Sequence, residues 1–153
     1  MKDRISISRV KEMHPLVIDD FKNFITDAEN ALGIVIRVSQ GLRTFAEQQA
    51  LFDMGRTKPG KIVTKAPAGS SYHQYGLAVD LVELVKNGSQ LDWNYDMSHL
   101  VPFASKYGID WGGNWVGFKD YPHFQKTLGW SVKALLDKYK KKDFIKGTKF
   151  VNI

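Results

Sequence analysis

Ser71-Tyr72-His73-Gln74-Tyr75-Gly76-Leu77-Ala78-Val79-Asp80-Leu81-Val82 sets a carboxylate inside an apolar, β-rich run. Buried without a partner, such a carboxylate costs several kcal/mol in lost hydration. A divalent cation removes that penalty, and so does a salt bridge or hydrogen bonds within the fold. His73 lies seven residues before Asp80, and a second histidine follows far downstream in Asp120-Tyr121-Pro122-His123. Two neutral imidazoles and one carboxylate suit a divalent metal of the zinc type. Three protein ligands leave a fourth position for water, which is the catalytic arrangement. Asp120, three residues before His123, is placed to handle the proton of that water. A straight strand would point His73 and Asp80 to opposite faces, so the chain has to bend, and Gly76 is where it can. Pro122 prevents a helix, so Asp120 and His123 need an extended, irregular turn to converge.

Around this stretch the apolar spacing predicts a mixed fold. From His14-Pro15 to Leu32, Val17, Ile18, Phe21, Phe24, Ile25, Ala28 and Leu32 mark one face of a helix that Gly33 ends. Ile34–Ser39 reads as a strand. Thr44 and Glu47 form a capping box for a helix over Ala46–Met54, stopped by Gly55. Residues 55–70 form a long connection rich in Gly, Pro, Lys and Thr, and connections of that length in compact domains are usually functional or mobile. Leu77–Val85 reads as a buried strand, turning at Asn87-Gly88 and returning through Leu91-Asp92-Trp93. Asp96 caps a third helix with Leu100, Phe103, Ala104 and Tyr107 inward, within which Pro102 is an irregularity. Ile109–Trp111 and Tyr121–Gln125 are short strands, and Ser131–Lys142 is a closing basic helix. The fold class is α+β: helices packed on one small, mostly antiparallel sheet that carries the metal site.

The chain has 153 residues, 43% hydrophobic and 25% charged, which suits one domain, residues 1–153, with a real core. It has no cysteine, so any metal is held by His, Asp or Glu. The start, Met1-Lys2-Asp3-Arg4-Ile5-Ser6, has no apolar core segment, and no signal peptide or membrane span is expected. The net charge is +6, and the segment from Ser131 onward holds seven Lys against two Asp. Such a basic end favours polyanions, an anionic wall or lipid surface among them. Of the four histidines, His14 and His99 read as structural residues.

Ser71-x-His73-x-x-Gly76-x-Ala78-x-Asp80 joined to Asp120-x-x-His123 resembles the signature of zinc peptidases that cut D-amino-acid-containing peptides of bacterial cell walls. That family holds VanY-like D-alanyl-D-alanine carboxypeptidases and dipeptidases, and L-alanyl-D-glutamate endopeptidases of bacteriophage endolysins, which the chain resembles most. The likeness spans roughly Ile36 to Gln125 and includes Gly41-Leu42-Arg43-Thr44 with Glu47-Gln48, and Trp111-Gly112-Gly113-Asn114-Trp115. It implies one Zn2+ on His73, Asp80 and His123, with Asp120 as catalytic carboxylate. It also implies that Arg43 steadies an oxyanion or substrate carboxylate, and that Ser71 and Gln48 contact substrate or support the groups that do. Trp115, which follows Gly112-Gly113, is expected to line the cleft and contact substrate. For Asp120 to work as a base, burial under Trp111, Trp115 and Tyr121 is expected to raise its pKa.

The resemblance therefore implies a monomeric zinc endopeptidase hydrolysing the L-alanyl-D-glutamate bond of peptidoglycan, as a phage or prophage lysis enzyme. Such an enzyme is made in the host cytoplasm and reaches the wall through a membrane pore. A D-alanyl-D-alanine carboxypeptidase or dipeptidase uses the same metal site and is the alternative. A wall-binding module that keeps zinc without turnover is a further one, against which Asp120 argues. No helix-turn-helix, RNP-type or zinc-finger pattern supports nucleic-acid binding.

Overall fold

The computed structural model describes all 153 residues. Five helices, α1 (Arg4–Lys11), α2 (Ile18–Leu32), α3 (Phe45–Asp53), α4 (Val101–Lys106) and α5 (Val132–Lys140), surround five strands. The strands are β1 (Ile36–Gln40), β2 (Ala78–Val85), β3 (Gln90–Asp92), β4 (Asp110–Trp111) and β5 (His123–Gln125). The sheet is antiparallel throughout, in the order β1-β2-β5-β4, with β3 pairing the far end of β2. β2 is thus the central strand, paired with β1 on one side and with β5 and then β3 on the other. No helix is long and apolar enough to cross a membrane.

The expected α+β architecture is present, and its core forms where the apolar stripe of α2 meets the sheet. Phe21, Phe24, Ile25 and Ala28 are fully buried with Val79, Leu81 and Phe124, and the Phe24 and Phe124 rings lie 5.3 Å apart. Gly33 ends α2 in the left-handed conformation, as the sequence predicts. The helix itself starts at Ile18 rather than Pro15, because His14–Val17 is occupied by a turn. In that turn the buried His14 ring faces the Val151 carbonyl at 2.9 Å through Nε2 and accepts the Leu16 N–H at Nδ1. The Thr44–Glu47 capping box of α3 forms reciprocally. The third expected helix divides into a 3-10 turn, Met97–Leu100, and the short α4, with Pro102 in its first turn, where a missing N–H is harmless.

Helix α1 has no amphipathic signal in the sequence, and the structure explains why. Only Val10 of the helix joins the core, and the hydrogen bonds of α1 to β1 are polar anchors: Ser6 Oγ accepts the Val38 N–H at 2.7 Å, and Arg9 donates to the carbonyls of Val38 and Ser39. It thereby covers the free edge of β1, whose backbone groups would otherwise be open to pairing. The basic end is no free tail either. After α5, Phe144 bridges Val151, and Val151 is buried against His14.

Candidate metal centre

His73, Asp80 and His123 are brought together by three different devices. Ser71 and Gln74 form a capping box around a 3-10 turn, Tyr72–Tyr75, which carries His73. Gly76 closes that turn at φ +69°, and a Cβ there would sit 2.5 Å from the His14 nitrogen, so both the backbone conformation and the close approach require glycine. The chain then enters β2, where Asp80 lies directly opposite His123 of β5. Opposed residues of an antiparallel pair project from the same face. The expected bend is therefore a helical turn plus a left-handed glycine. Asp120 to His123 form a tight turn rather than the extended one expected, closed by the His123 N–H donating to the Asp120 carbonyl.

Each imidazole has its remaining nitrogen occupied. His73 Nδ1 lies 2.9 Å from the Gly41 carbonyl, which leaves Nε2 aimed at Asp80. His123 Nε2 lies 2.8 Å from Gln125 Oε1, which leaves Nδ1 facing the same carboxylate. Partners of this kind fix ring orientation and tautomer at metal sites. Both facing nitrogens are 3.4 Å from Asp80 Oδ1, and the three donor atoms lie within 4.8 Å of one another. A tetrahedral ion with ligand bonds of about 2.0–2.1 Å separates its donors by roughly 3.3–3.4 Å. Asp80 Oδ1 is also the one buried side-chain polar atom without a hydrogen bond. Such an orphan is costly unless something further binds it. The donor set and its spacing fit a divalent cation of the zinc type.

The surroundings drive the two carboxylates apart. Burial pushes Asp80 upward, but the facing imidazoles of His123 and His73 outweigh it and hold the carboxyl well below the usual range. Burial, and then the like charge of Asp80, raise Asp120. Asp120 is thus the more basic of the pair, as expected, although Tyr121 is 55% exposed and is no cover for it. Asp120 is seated by the Trp111–Trp115 segment: its N–H donates to the Gly112 carbonyl, and a Cβ on Gly112 would meet the Asp120 carbonyl oxygen at 2.4 Å.

A cleft of about 680 Å3 opens over these groups, lined by Arg43, Ser71 and Trp115 as well as the three donors and Asp120. Arg43 approaches Asp80 Oδ2 at 3.6 Å and donates to Gln48 Oε1 at 2.9 Å. The Trp115 ring lies 5.0 Å from that of His123. Ser71 faces the cleft, and its Oγ accepts the His73 N–H. Gln48 corrects an expectation. It is fully buried, with no face toward the cleft, because its amide is consumed by Arg43, Gln74 and the Ala66 carbonyl. It supports Arg43 and the loop rather than touching substrate. The residue missed by sequence reasoning is Gln125, whose position two residues beyond His123 on the same strand face was the available signal.

Residues 64–126 match a family model described as D-alanyl-D-alanine carboxypeptidase. The peptidoglycan L-alanyl-D-glutamate endopeptidase CwlK of Bacillus subtilis is 41% identical over 123 residues, covering 74% of this chain and 73% of CwlK. A Listeria phage L-alanyl-D-glutamate peptidase is 30% identical over 105 residues, which are 66% of this chain and 34% of that longer protein. Among solved structures, the Serratia marcescens L-Ala D-Glu endopeptidase ChiX superposes with a TM-score of 0.60 at 25% identity, over 82% of this chain and 88% of ChiX. The matched segment contains all three donors and Asp120, and the similarity to CwlK runs through most of both proteins. The chain therefore belongs to the peptidase family of the D-alanyl-D-alanine carboxypeptidases and L-alanyl-D-glutamate endopeptidases.

Proposed function

We propose that this protein is a zinc endopeptidase that hydrolyses the L-alanyl-D-glutamate bond in the stem peptides of peptidoglycan. The observation that carries the reading is the orphaned Asp80 oxygen between two oriented imidazoles, with a raised carboxylate, Asp120, in the same cleft. The choice of bond is supported by the identity with CwlK and with the phage peptidase. The phage source of that relative supports a role in lysis. In that role the enzyme would act as a monomer on the wall after release through a pore made by another protein.

His73, Asp80 and His123 would hold the ion, which when bound supplies Lewis acidity to the scissile carbonyl and makes water acidic enough to ionise near neutral pH. Asp120 takes the proton of the attacking water and returns it to the departing amine nitrogen. The raised pKa of Asp120 suits both halves of that task. Arg43, held by Gln48 and Gln40, presents a fixed guanidinium to negative charge developing on the carbonyl oxygen. Ser71 and Trp115 line the path of the peptide.

The family model's own description favours a second reading, removal of a terminal D-alanine by the same centre. Digestion of purified peptidoglycan separates the two. New amino-terminal glutamate is the expected product; free D-alanine without new glutamate termini would establish the carboxypeptidase instead.

A further inference from the structure

This inference rests on the bond assigned above. D-glutamate continues the stem peptide through its side-chain carboxyl, so its α-carboxylate hangs free beside the scissile nitrogen. The cleft already holds Asp80 and Asp120. The proposed divalent ion would offset those two charges, and a further carboxylate is then favoured where a cation not already paired meets it. Two cationic side chains line the cleft, Arg43 and Lys65. Arg43 is already committed to the carbonyl oxygen in the proposed reaction, and its guanidinium also contacts Gln48, Gln40 and Asp80. Lys65 has no carboxylate within salt-bridge distance, and its ammonium stands 5.8 Å from the centre of the Phe118 ring. Phe118, 65% exposed, lines the same cleft from the segment between Trp115 and Asp120.

The base of Lys65 is anchored while its head is free. The Ala66 carbonyl accepts from Gln48 at 2.7 Å, the Ala66 N–H donates to Thr64 Oγ1, and the Ala68 N–H donates to Gln49 Oε1. The bonds to Gln48 and Gln49 tie the loop to α3, the helix whose first turn follows Arg43 directly. A cation on a fixed base, resting on an aromatic face without a counter-ion, is prepared for an anion brought by the substrate. We propose that Lys65, with Phe118 as its platform, is the specificity-determining residue that receives the free α-carboxylate on the amine side of the scissile bond.

The test is a pair of synthetic stem peptides that differ only at this group, one with D-glutamate bearing its α-carboxylate and one with the α-amide. The wild-type enzyme is expected to favour the acid in kcat/KM by at least about tenfold, mainly through KM. Lys65→Met is expected to lower that ratio at least about tenfold, and Lys65→Arg to retain most of it. Lys61→Met, an exposed lysine of the same loop that does not line the cleft, should keep the wild-type ratio. A wild-type ratio in Lys65→Met, or equal loss on both peptides, would overturn the role of Lys65. A wild-type enzyme that cuts neither peptide at this bond would overturn the bond assignment, and this inference with it.

Discussion

Asp80 and Asp120 are the same residue type in one cleft, and only their neighbours separate their roles. Asp80 faces two imidazoles and stays ionised, whereas burial and the charge of Asp80 make Asp120 the better proton acceptor. Pairs of carboxylates driven apart in this way mark acid–base assignments. Asp120→Asn keeps the volume and removes the proton site. It is expected to retain bound metal and to lose roughly 10²–10⁴-fold in kcat, the usual contribution of a positioned general base. Metal analysis beside single-turnover hydrolysis checks this, and unchanged turnover would mean that another group accepts the proton. Asp80→Asn is expected to give the opposite pattern, with metal content lost first.

At the level of elements, the site depends on one close approach. The 3-10 turn Gly112–Asn114 lies against the Asp120–His123 turn, and a methyl at Gly112 would press on the Asp120 carbonyl and, at 3.1 Å, on His123 Cβ. Both neighbours belong to the site, so relief of the clash moves Asp120 or His123. Gly112→Ala is expected to lower kcat at least about tenfold, since displacements of about 1 Å cost on the order of 10²-fold. Circular dichroism should meanwhile stay native-like; wild-type kcat would show that the turn yields elsewhere. The donors were legible in the sequence because Asp80 interrupts an apolar run and His73 and His123 recur in short motifs. The manner of their meeting was less so. A four-residue 3-10 turn leaves no periodicity to read, and α1, RISISRVK, binds β1 through Ser6 and Arg9 rather than through an apolar stripe. Gln48 misled because a polar residue one turn from Arg43 can equally serve the cleft or the fold; only its burial decides.

Across the whole molecule, two linkages join folding to solution conditions. Burial holds the His14 pKa below its ordinary 6.5, and the Val151 carbonyl only partly opposes this. The neutral ring donates to Val151 and accepts from Leu16, so a second proton would face the Leu16 N–H. Its contribution is therefore complete above pH 6.5 and is lost as pH falls through 6.5 toward the lowered folded value. Urea midpoints at pH 7.5 and 5.5 should show a steeper loss in the wild type than in His14→Gln; equal slopes would remove His14 from the account. The second linkage is to the proposed metal. Its ligands come from the Tyr72–Tyr75 turn, β2 and β5, so an unfolded chain has no preformed site, and binding energy becomes folding energy. Zinc at about 100 times its Kd adds about 2.7 kcal/mol of stability. For a chain of this size that corresponds to a rise of roughly 5–10 °C in Tm. Magnesium at the same concentration should do little, since nitrogen donors disfavour it. Asp80→Asn should abolish the response, and a chelated wild-type protein whose Tm ignores zinc would mean that β2 and β5 are not joined through an ion at all.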